Sequence, residues 1–168
     1  MTGWFVPAVQ DELPLFPTTA LPTPPHLRCP HSPLVVWFTE PLGMLTQLVE
    51  PAHGTAAMAE FITGTAWSAL QELRGDRAER LLFIHDFSLM DTYDGEARRL
   101  LTMWGLSIRR DIDRIVVVQP PVKNRIARMG IAAAATALDM LGVQIELDEV
   151  LPVILDRYSV RPLARSGA

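Results

Sequence analysis

Five side chains that could move protons crowd into ten residues: His85, Asp86, Asp91, Tyr93 and Asp94. They follow the apolar run Leu81-Leu82-Phe83-Ile84, so a strand there would deliver them to its C-terminal end, where open α/β sheets hold ligands. An imidazole beside carboxylates is the raw material of general acid–base catalysis. The spacing argues against it. Neighbouring strand residues project to opposite faces, so His85 and Asp86 cannot meet as a dyad. Asp94 stands just before a helical pattern, where its carboxylate is expected to cap the helix N-terminus. A second cluster, His26, Cys29 and His31, puts three soft-metal ligands within six residues. Zinc normally takes four ligands on a defined scaffold; this proline-rich stretch offers neither, so no metal is expected. No Walker A loop, G-x-G-x-x-G after a strand, G-x-S-x-G, H-E-x-x-H or paired C-x-x-C occurs. The expectation is a protein that is not an enzyme and carries no cofactor.

Bulk properties point the same way. A length of 168 residues suits one domain, and 49% apolar with 20% charged residues is an ordinary globular composition. No apolar run approaches the roughly 20 residues that span a bilayer. Met1 to Pro7 lacks the basic and apolar regions of a signal peptide. Cys29 is the only cysteine; it cannot pair within the chain and suits a reducing compartment. A cytoplasmic protein is expected. The net charge of −4 speaks against nucleic-acid binding.

The elements that would position these residues begin near residue 34. Eight of fourteen prolines lie at or before Pro33, and proline disfavours helix and central strand, so residues 1–33 are expected as an extended tail. Leu34 to Phe38 and Met44 to Val49 form a hairpin about Pro41 and Gly43. Thr55 caps a helix to about Leu73, with Met58, Phe61, Ile62, Ala66, Ala69, Leu70 and Leu73 on its apolar face. A strand at 80–87, a helix at 94–110, a strand at 115–118 and a helix at 122–141 follow, the last closed by Gly142. A strand at 143–147 and a helix at 149–158 complete the order β-β-α-β-α-β-α-β-α. Such alternation implies a mixed, mostly parallel sheet of about five strands packed with three to four helices. The divisions expected are a tail at 1–33, an α/β domain at 34–158 and a C-terminal tail at 159–168.

This order, together with Leu81 to Arg98, resembles the STAS domain of anti-sigma factor antagonists. The family's central strand ends in an Asp, and a second Asp eight residues later opens the next helix; Asp86 and Asp94 keep that spacing. The resemblance covers about residues 34 to 158 and implies a cytoplasmic, bacterial regulatory module. In the antagonists a serine follows the second Asp and is phosphorylated, whereas this chain has Gly95, which cannot carry a phosphate. What the resemblance implies is partner binding through Asp91, Tyr93, Asp94, Gly95, Glu96, Arg98 and Arg99. Ser88, Thr92 and Thr102 could accept a phosphate, but no motif singles one out.

Two further surfaces suggest themselves. Between Arg98 and Arg128 eight basic residues face only two acids, Asp111 and Asp113, for a local charge of +6. Arg114, Lys123, Arg125 and Arg128 could form an anion-binding patch, against the plainer reading of a solvated basic face. The run Met129 to Ala135 is expected to pack closely in the core or against another helix. Trp4, Phe5 and Val6 on a proline-stiffened arm have the make-up of a docking motif, against an arm that folds back or stays disordered. The functional expectation is therefore a non-catalytic regulatory module that binds a protein partner through residues 91–99. The alternatives are an adaptor docked by its aromatic arm and, behind that, a lipid or small-ligand binding domain. A homo-oligomer stays open.

Overall fold

The computed structural model describes residues 21–164. The apolar runs become strands β1 (Leu27–Arg28), β2 (Leu34–Glu40), β3 (Gly43–Leu48), β5 (Leu81–Asp86), β7 (Ile112–Val118), β8 (Ile145–Asp148) and β9 (Arg161–Pro162). They form one sheet in the order β1-β2-β3-β5-β7-β8, with β9 also paired to β2. The β2–β3 hairpin is antiparallel, and β3, β5, β7 and β8 run parallel. A second, two-stranded parallel sheet joins β4 (Ala52–Gly54) to β6 (Met90–Tyr93). The turn between β2 and β3 ends at Gly43, where a Cβ would lie 1.7 Å from the Leu82 carbonyl oxygen. Only glycine lets the two backbones approach so closely there.

Each parallel crossover moves one strand along the sheet and returns by a helix. The first is a continuous helical run: α1 (Ala56–Glu60), a π-helical segment (Phe61–Ala66) and α2 (Trp67–Arg74). Thr55 accepts the Met58 amide at 3.3 Å, as an N-cap should. Met58, Ile62, Ala66 and Leu70 are all fully buried, a strict four-residue spacing. An α-helix advances about 400° in four residues, so this row would drift about 40° per step. The wider π turns hold it on one face. The helix α3 (Gly95–Ser107) returns β5 to β7, and α4 (Arg125–Met140) returns β7 to β8.

Two apolar layers sandwich the sheet. Val36, Met44, Phe83, Ile115 and Val117 face Met58, Ile62, Trp104, Ala127, Ile131 and Leu138 from the crossover helices. Val35, Trp37, Leu45, Ile84, Val116 and Val118 face Leu151 and Ile154 of α5 (Leu151–Arg157), with Leu21 and Val160. Both faces being covered explains why the central strands are continuous apolar runs.

The sequence-based boundaries need correction, most of all at the two ends of the domain and at α4. Residues 21–33 are not wholly an extended tail: β1 pairs with β2, and Leu21 and Cys29 are buried. Prolines exclude a central strand, not an edge one. His26 seals this contact, its Nδ1 accepting the Phe38 amide at 3.1 Å and its Nε2 lying 3.1 Å from the Leu163 carbonyl. Beyond residue 158, where a C-terminal tail was expected, β9 pairs with Thr39 and Glu40. The helix expected from Val122 starts at Arg125; Asn124 sits at its N-cap position and donates its side-chain amide to the Met90 carbonyl at 3.1 Å. At the far end Gly142 adopts φ +84°. Its amide bonds Asp139, and the Val143 amide bonds Leu138, both at 3.0 Å, which is the Schellman closure expected of a glycine there.

Candidate functional site

Strand alternation separates the two residues at the end of β5. His85 turns toward α3, where its Nδ1 meets the Thr46 hydroxyl at 2.8 Å, its ring between Phe83 and Phe87. Burial there pushes its pKa down to about 4, so the ring is neutral. Asp86 turns to the α5 face, accepts Gln47 Nε2 at 3.0 Å and accepts the Ser88 amide at 3.1 Å. Thr46 and Gln47 stand beside His85 and Asp86 in the parallel β3–β5 register. These contacts account for both side chains structurally.

Past β5 the chain crosses the small sheet. Asp91 is exposed and folds back on its own turn, accepting the Thr92 amide at 2.6 Å. Tyr93 points inward against Gly130, whose absent Cβ would lie 3.1 Å from the ring. Burial raises its phenol to about 12, against a smaller opposing pull from Arg98. Asp94 occupies the N-cap position of α3, but its carboxylate makes no cap bond. It bonds His53 Nε2 at 2.6 Å instead. That corrects the capping role expected for it. The other ring nitrogen of His53 contacts the Thr92 hydroxyl, so β4 supplies an imidazole that ties β6 to the start of α3. Nothing in the sequence pointed to His53, which lies 41 residues from Asp94 and meets it only because β4 and β6 pair.

The start of α3 is then open. Gly95 has no heavy atom within 4 Å of where a Cβ would stand. Glu96 and Arg99 form a bidentate pair at 2.7 and 2.8 Å; the bond from Arg99 holds the Glu96 carboxyl below its usual range. Arg98 is exposed and has no carboxylate partner among the described residues. Of the seven residues expected at a partner surface, six lie together at the surface, and Tyr93 serves as packing beneath them.

The basic patch does not assemble. Arg114 projects to the α5 face, where it meets Glu146 at 3.3 Å and the Tyr158 hydroxyl at 3.2 Å. Arg128 bonds the Pro120 carbonyl at 3.0 Å and Glu149 at 2.5 Å. The strand period sends Arg114 away from α4, and Glu149 neutralises Arg128. Lys123 and Arg125 stay exposed near the start of α4. Trp4, Phe5 and Val6 lie outside the described residues.

Below Tyr93, between α3, α4 and the sheet, His85, Phe87, Leu101, Ile131 and Leu138 line an apolar cavity of about 50 Å³. Ligand pockets run to about 300 Å³ or more, so this one is a packing defect beside the alanines of α4. Among the described residues no helix is long and apolar enough to cross a membrane.

No protein-family model matches the chain, and no curated protein matches it in sequence. A crystal structure of a DUF3478-family protein from Shewanella loihica PV-4, described as having a SpoIIAA-like fold, is similar: the TM-score is 0.51 at 16% identity, over 74% of this chain and 91% of that one. The chain thus has a STAS-like, SpoIIAA-type fold.

Proposed function

We propose that this chain is a non-catalytic regulatory module that binds a protein partner through the loop and helix start at residues 91–99. The observation that carries the reading is the diversion of Asp94. With its carboxylate held by His53, the Asp94 side chain makes no cap bond, and the first-turn amides of α3 are open, among the described residues, to an incoming acceptor. Gly95 gives a partner backbone room to approach, and Asp91, Glu96, Arg98 and Arg99 supply charges around it. His53 also fixes the loop, which lowers the ordering cost of binding. The STAS-like fold supports a module of this kind. His85 and Asp86 are each buried on their own face with their own partner, which supports a binding reading over a catalytic one.

The test is capture of a partner from extracts of the native source by the full chain, compared with an Asp91→Lys/Glu96→Lys variant. Both sites are exposed, so circular dichroism should report an unchanged fold. Loss of the captured protein supports the reading. Undiminished capture by the variant overturns it.

A further inference from the structure

Beside the proposed contact surface, α3 and α4 leave a groove between them that no other described residue fills. Both return between parallel strands in the same direction, so they run side by side. The floor is built of small residues: Gly95, Gly130, Ala133, Ala134 and Ala137. Its walls are large and apolar, with Met103 56%, Ile126 75% and Met129 66% exposed. For residues with no polar atoms this exposure is high. Two methionines among three wall residues suit a surface that adapts to what it holds.

The charges at the groove have one sign. Arg98 and Arg99 line it, and among the described residues no carboxylate does. Arg99 is already paired with Glu96, which leaves Arg98 as the open cation. Lys123 and Arg125 stand near the start of α4. The stretch from Ile126 to Ala137 spans about 17 Å of helix at 1.5 Å per residue, the length of about three turns.

We infer that this groove receives an amphipathic helix of the partner protein, about three turns long, with apolar residues against Ile126, Met129 and Met103 and an acidic residue opposite Arg98. This rests on the partner-binding reading and extends it to the class of partner. A glycine and alanine floor lets a third helix settle near the 8–10 Å axial distance of packed helices, and helix-in-groove docking reads anchors at i, i+3, i+4 and i+7. The groove shares Gly95, Arg98 and Arg99 with the loop surface, so one partner can occupy both.

The test uses the full chain and a synthetic three-turn helical peptide with leucines at i, i+3, i+4 and i+7 and glutamates flanking them. Two comparison probes are the same peptide with lysines for glutamates and phosphatidylglycerol vesicles. Titration followed by amide chemical shifts should place the acidic peptide on Met103, Ile126, Met129 and Ala133. The lysine peptide should bind at least about tenfold more weakly, a difference of about 1.4 kcal/mol. Arg98→Glu should reverse that preference, and Ala133→Trp, at an exposed position, should abolish binding of both. Equal binding of the two peptides, binding that survives Ala133→Trp, or attachment to vesicles in place of the acidic peptide overturns the inference. A self-associated chain whose groove is already occupied, seen by sedimentation at the titration concentration, also overturns it. Partner capture that survives Ala133→Trp yet is lost in Asp91→Lys/Glu96→Lys would remove the groove and leave the loop reading standing. The reverse pattern would remove the loop reading.

Discussion

His85 is a basic side chain without charge at neutral pH, and the cause is the wall around it. Phe83, Phe87 and Trp104 pack about the ring, leaving it 5% exposed with one hydroxyl to bond. Desolvation of the imidazolium lowers its pKa to about 4. The unfolded chain takes up this proton near pH 6.5, the folded chain only near 4. Between those values the unfolded state binds more protons, so stability falls as the pH is lowered. The gap corresponds to about 3 kcal/mol, absent at pH 7 and reached in full below pH 4. NMR titration of the ring should show His85 neutral down to about pH 5. A midpoint near 6.5 would mean that the site is wet and the penalty absent. His53 makes the contrasting case: an exposed imidazole joined to Asp94 and Thr92, holding a loop and not filling a core.

At the scale of elements, the short strands decide where the packed structure begins and ends. β1 and β9 both pair with β2, and His26 joins the Phe38 amide to the Leu163 carbonyl across them. Residues 21–33 also bury Leu21 and give Trp37 Nε1 its acceptor, the Thr23 carbonyl at 2.9 Å. Deleting residues 1–33 therefore uncovers apolar surface at Val35 and Trp37 and removes the acceptor of the indole N–H, a loss of several kcal/mol. Deleting residues 1–20 removes Trp4, Phe5 and Val6 but none of these contacts. Urea unfolding should separate the two, with a clearly lower midpoint for the longer deletion alone. Equal midpoints would show that residues 21–33 contribute no stability. The shorter deletion is also the proper test of an aromatic docking arm: a partner lost with residues 1–20 alone would favour the adaptor reading.

Across the whole molecule, protection should follow sheet position. β5 lies between β3 and β7 with both faces covered, and all six of its residues are buried. At the edge, β8 has no fully buried residue. Amide exchange at Phe83 and Ile84 should require global unfolding, and exchange at Ile145 and Glu146 should proceed by local opening at least about a hundredfold faster. Uniform rates through both strands would mean that the sheet opens as one unit. The proposed contacts follow the same gradient. The loop at 91–99 and the α3/α4 groove lie outside the protected centre, where side chains can meet a partner without opening the core.

Much of this architecture was legible along the chain because its causes are local or periodic. Unbroken apolar runs marked strands buried on two faces, Thr55 and Gly142 marked helix ends, and alternation alone sent His85 and Asp86 apart. Tertiary structure decided what depends on pairing between distant residues. Only the β4–β6 contact brings His53 to Asp94 and turns an expected cap into a loop anchor. Only strand parity in three dimensions parts Arg114 from Lys123, Arg125 and Arg128. Proline content drew the tail to residue 33, although an edge strand tolerates prolines and β1 could form. A chain states its periods and its turns; which carboxylate meets which imidazole depends on contacts made only when the sheet closes.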